Sequence, residues 1–81
     1  MIAEAELSEL LLAAFPGAEV VLFDKTGMSD HYRLYIASAQ FAGKNLIARN
    51  QMVYQALDVP LKDGRLHAIE IKTDVPEPAT P

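Results

Sequence analysis

Residues 31–37, HYRLYIA, alternate strictly, and that alternation limits the chain more than any other feature. Tyr32, Leu34 and Ile36 fall on one side of an extended backbone, and His31, Arg33 and Tyr35 on the other. A helix would scatter these residues around its circumference. A strand collects them into one apolar face and one polar face, as in a sheet packed on one side only. The run before it, AEVVLFD at residues 18–24, is also β-rich and bounded by turn residues. Between them lies KTGMSD, a six-residue connection of turn formers, so the two runs read as an antiparallel hairpin.

Helical periodicity flanks the hairpin. Over residues 3–15, Leu7, Leu10, Leu11, Ala14 and Phe15 recur at i, i+3, i+4, i+7 and i+8 and form one apolar stripe. Glu4, Glu6 and Glu9 suit the positive end of that helix dipole, and Pro16-Gly17 stops the helix. After SAQFAGK, Asn45 is a good N-cap for a second helix. Its predicted core stripe is Leu46, Ile47, Asn50, Val53, Tyr54 and Leu57, with Arg49, Met52 and Gln55 outside it. Asn50 interrupts that stripe, so its amide needs a hydrogen-bond partner. We expect a satisfied, half-buried amide. VPLKDG, 59–64, reads as a turn or a single helical turn. LHAIEIKT follows as the third strand, with His67, Ile69 and Ile71 on one face and Ala68, Glu70 and Lys72 on the other. The last seven residues, VPEPATP, hold three prolines. A flexible Pro-rich tail is expected over 76–81, with one folded domain over 1–75.

The element order is helix, strand, strand, helix, strand. A helix joining the second and third strands implies a parallel pair. The fold class is thus α+β, a single domain with a three-stranded mixed sheet and its helices on one face. The other face, or an edge, stays open to bind something.

Composition narrows the function. The chain has 81 residues, a net charge of −4 and no cysteine. One core fits that length. Without cysteine, disulfides, thiolate nucleophiles and all-thiolate metal sites are excluded. The acidic N-terminus is unlike a secretory signal, and no run approaches the roughly 20 apolar residues of a membrane span. We therefore expect a cytoplasmic protein with no membrane partner. The sequence has no G-x-S-x-G, Walker or dinucleotide-binding motif, which argues against an enzyme. The two histidines remain. If the second and third strands are parallel neighbours, His31 and His67 start them at the same end of the sheet. Strands lie about 4.8 Å apart, so both imidazoles could approach one ion. A second protein would have to complete such a site.

FAGKNLIARNQMVYQAL, residues 41–57, resembles the segment F-x-G-x-S-L/V-V/I-x-R-H-R/Q-x-V-Y-x-x-L of the BolA family. RLHAIEIKT, 65–73, is similar to the family's closing I/V/L-H-A-L/V-x-I/L, and SDHYRLYI adds to the likeness. The similarity runs from about Leu7 to Val75 and is nearest to the short-loop, YrbA/IbaG-like branch. It implies a domain like the class II KH fold. It also implies a heterodimer with a monothiol glutaredoxin that shares a 2Fe–2S cluster, with thiolates from the glutaredoxin and glutathione. Alone, the chain would be a monomer with no cluster. The closing-motif histidine, here His67, is the implied cluster ligand, and His31 matches a position that is often histidine. The chain departs from the family in three places. Lys25 to Asp30 holds neither Cys nor His, Asn45 replaces Ser, and Asn50 replaces His. One neutral imidazole can fill one position of an exposed cluster and raise its potential.

Two functions follow as expectations. The first is a non-enzymatic iron–sulfur adaptor in cluster trafficking or iron and stress regulation. Its partner patch would be His67, with Arg65 and Lys72 near it on the third strand. The alternative is a KH-like transcription regulator binding DNA through Lys44 and Arg49. Against it, Gly43-Lys44-Asn45-Leu46 does not supply the G-x-x-G loop of a KH site.

Overall fold

The computed structural model describes residues 1–28 and 30–76, so the expected tail, apart from Pro76, lies outside the described residues. Helix α1 spans Glu4–Ala14, strand β1 Glu19–Asp24 and strand β2 His31–Ala37. A 3-10 turn at Ala39–Phe41 leads to helix α2, Leu46–Ala56, helix α3, Asp58–Asp63, and strand β3, Ala68–Asp74.

The sheet has the order β1-β2-β3. β1 runs antiparallel to β2, from Glu19 opposite Ala37 to Asp24 opposite Tyr32. β3 runs parallel to β2, from His31 beside Ala68 to Ala37 beside Asp74. The alternation of β2 translates directly into burial: Tyr32, Leu34 and Ile36 are sealed, while Arg33 is exposed. Leu7 and Leu11 of α1 and Val53 and Leu57 at the end of α2 close over that face. Phe15 and Phe41 fill one end of the core with ring centroids 5.1 Å apart. Tyr32 is the buried strand residue with a polar tip, and its hydroxyl donates to the Ile2 carbonyl at 2.9 Å. That bond pins the segment before α1 onto the sheet.

Four details depart from the sequence reading. In α1 the stripe holds for Leu7, Leu10 and Leu11, but Ala14 is exposed. Helix α2 keeps Val53 and Leu57 of the expected stripe in the core but is rotated about them: Leu46, Ile47 and Tyr54 are exposed, and Met52, expected outside the stripe, packs on the core with Ala56. Two apolar rows adjoin on this helix, and a three-stranded sheet covers one of them. Asn50 is half-buried as expected, yet its Oδ1 is buried without a hydrogen-bond partner among the described residues. Residues 58–63 form a six-residue helix. Pro60 sits in its first turn, where an N–H has no intrahelical acceptor to lose. The expected N-cap is present, with Asn45 Oδ1 accepting from the Ala48 N–H at 2.8 Å.

Candidate functional site

The site is assembled where β2 and β3 begin. Gly64 ends α3 in the left-handed region, at φ 86°. Leu66 then drops into the core, 1% exposed. A buried residue at 66 commits the next side chain to the rim. His67 therefore stands just ahead of β3, its side chain 67% exposed. Its backbone N–H donates to the Asp30 carbonyl at 2.8 Å, and the Ala68 N–H reaches the same oxygen at 3.3 Å. The Asp30 carboxylate lies 3.6 Å from Nδ1 of His67. Thr26 holds that carboxylate by donating its hydroxyl to Oδ1 at 3.0 Å. A carboxylate beside Nδ1 favours the tautomer with the proton there, which leaves the Nε2 lone pair for an incoming ligand.

His31 occupies the same end of the sheet, but the register sets it beside Ala68, not His67. Its Nε2 is 3.9 Å from the Glu70 carboxylate on the open face. Lys25 donates to that same carboxylate. This hydrogen bond from Lys25, with the charges of Lys25, Arg33 and His31, holds the Glu70 carboxyl below its ordinary range. The two imidazoles thus have separate acidic neighbours, Asp30 and Glu70. Among the described residues no three or more His, Asp or Glu side chains are grouped to hold a metal ion.

The cations are distributed unlike the sequence reading. Arg65 is not on β3. Its guanidinium is half-buried and binds Glu6 of α1 and, at 2.9 Å, Asp63. The Glu6 and Asp63 hydrogen bonds push its pKa up, and the Arg65 N–H and side chain pull that of Asp63 down. Arg65 therefore braces the turn that carries His67. Lys72 is exposed on the open face opposite Tyr35. It lies five residues beyond His67, roughly 16 Å at the rise of a strand. Lys44 is exposed in the turn ahead of α2, and Arg49 folds back so that its Nε donates to the Lys44 carbonyl at 2.9 Å.

Sequence reasoning did not single out Asp30, Thr26, Glu70 or Lys25. For Asp30 a signal existed, a carboxylate directly before the strand that starts with His31. Nothing local marks the Glu6–Arg65 pair, whose members are 59 positions apart.

The sequence matches a family model described as BolA-like protein over residues 16–78. The chain belongs to the BolA family. It is 40% identical over 72 residues to the uncharacterized protein RP812 of Rickettsia prowazekii, covering 89% of this chain and 92% of that one. The solution structure of that BolA-like protein superposes with a TM-score of 0.72 at 37% identity, covering 94% and 97% of the two chains. BolA1 from Arabidopsis thaliana gives a TM-score of 0.81 at 29% identity, with 94% of each chain covered. The BolA domain of SufE1 from the same plant gives 0.82 at 27% identity, covering 94% and 96%. The BolA fold therefore accounts for the α+β order and the mixed sheet.

Proposed function

We propose that this BolA-family chain is a non-enzymatic adaptor that pairs with a monothiol glutaredoxin and lends His67 to a shared 2Fe–2S cluster. The observation that carries the proposal is the exposed imidazole of His67, with the Asp30 carboxylate 3.6 Å from its Nδ1. The donor set fits a shared cluster and not a resident one, since the chain has no cysteine. Bound there, the cluster would supply one-electron chemistry and a labile iron–sulfur cargo. The residues of this chain do the rest: Leu66 and Gly64 fix the rim, and the nearby Asp30 carboxylate favours a proton on Nδ1. His31 is a second candidate ligand, available only if it turns from Glu70. Lys72 is an outlying charge for the partner. A cytoplasmic site of action and the short-loop branch of the family complete the reading. Among the described residues, no helix is long and apolar enough to cross a membrane.

The test mixes the protein with a monothiol glutaredoxin, iron, sulfide and glutathione and records visible circular dichroism. Wild type is expected to change the cluster spectrum, and His67→Ala to abolish that change. Identical spectra for the two proteins would remove His67 as ligand. The DNA-binding alternative has less support, because Arg49 is folded back onto the Lys44 carbonyl. A fluorescence titration with short single-stranded DNA at low salt, showing no binding, would close it.

A further inference from the structure

We infer that β1 is a self-association edge through which two copies of this chain join their sheets. The two edges of the sheet differ. The open-face row of β3 runs Ala68, Glu70, Lys72 and Asp74, charged at every position after the first, and such charges keep an edge from pairing. The same row of β1 carries Val21 and Phe23, 53% and 59% exposed. No strand covers β1 on its outer side among the described residues.

The ladder shows which groups are available. The Lys25 N–H donates to the His31 carbonyl at 2.9 Å, so in this antiparallel pair Phe23, Val21 and Glu19 direct their main-chain groups toward β2. Val20 and Leu22 direct theirs outward. Their N–H groups have no hydrogen-bond partner among the described residues. They form a short, regular template for another strand.

The sequence of β1 favours a second copy as the occupant. With a two-fold axis at Leu22, Val21 lies opposite Phe23 of the second copy, and Glu19 opposite its Lys25. The axis repeats both pairs. The open faces of the two sheets stay continuous, and opposite charges close both ends of an apolar centre. An axis at Val21 would place Glu19 against Phe23, and one at Phe23 would place Val21 against Lys25. Both keep the faces aligned but lose the charge match. Lys25, already bound to Glu70 within its own subunit, bridges two acids in the joined sheet. A six-residue strand covers less than the roughly 1,200 Å² of a stable specific interface, so the association is weak and concentration-dependent. β2 separates this edge from β3, and the two copies leave two His67 rims for partners.

Sedimentation equilibrium up to about 1 mM, the weak-binding range, gives the first readout. Amide exchange of Val20 and Leu22 at high and low concentration gives the second. The expected result is a monomer–dimer equilibrium with both amides protected only at high concentration. Glu19→Lys and Lys25→Glu should each weaken dimerisation about tenfold through opposed like charges. An equimolar mixture of the two variants should restore it, because both lysines of the first then face the two glutamates of the second across the seam. Should Lys25→Glu unfold for loss of Glu70, wild type and Glu19→Lys decide the matter through amide protection. A monomer at every concentration, a dimer with unprotected outward amides, or a mixture no tighter than its components overturns the inference.

Discussion

Gly64→Ala probes the turn that presents His67. At φ 86° and ψ 2°, Gly64 lies in the left-handed region. A Cβ built there meets no atom within 4 Å, so the penalty is conformational and not a clash with neighbours. An L-residue in that region costs about 1–2 kcal/mol. Alanine also stiffens the unfolded chain, which returns about 0.4–1 kcal/mol. The net loss is about 1 kcal/mol, or roughly 4–8 °C in Tm for a domain of this size. Urea and thermal unfolding measure it, with an unchanged urea slope if only the native turn is affected. Amide shifts confined to Arg65–His67 would place the effect at the site. D-alanine at the same position, introduced by chemical synthesis, escapes the penalty and keeps the gain, so it should stabilise. An L-alanine variant as stable as wild type, or two enantiomers equally harmful, would refute this account of the turn.

Three further outcomes are expected. Tyr32→Phe leaves the buried Ile2 carbonyl without its donor and should cost about 1–3 kcal/mol by urea titration, whereas an unshifted midpoint would deny the N-terminal pin. Asn50→Leu removes a buried oxygen that has no partner among the described residues and should raise the urea midpoint by about 1 kcal/mol in stability, whereas a loss would mean that the amide is satisfied in solution. The Glu70 and Asp63 carboxyls are depressed in the fold, so their contribution is present at neutral pH and lost as pH falls through their folded values, on the acid side of the ordinary carboxylate range. Glu70→Gln should flatten part of that acid loss in low-salt unfolding curves, and an unaltered pH profile would count against the Lys25–Glu70 pair.

Local patterns in the chain were enough to set the order of elements and the two faces of the sheet. A period of two in HYRLYIA leaves no freedom over which residues meet the helices. The Pro16-Gly17 stop and the Asn45 cap fixed helix boundaries through local chemistry, and the helix between β2 and β3 implied their parallel pairing but not the register that sets Ala68 beside His31. Folding in three dimensions settled everything that depended on what each surface met. Helix α2 has two adjoining apolar rows; the periodicity named Val53 and Leu57, and the sheet selected Met52 over Leu46, Ile47 and Tyr54 to join them. Arg65 looked like a surface cation until folding brought Glu6 to it across most of the chain. Asp30 came beside His67 only when β2 and β3 aligned, since short-range patterns carry no information about a contact between segments far apart in the chain.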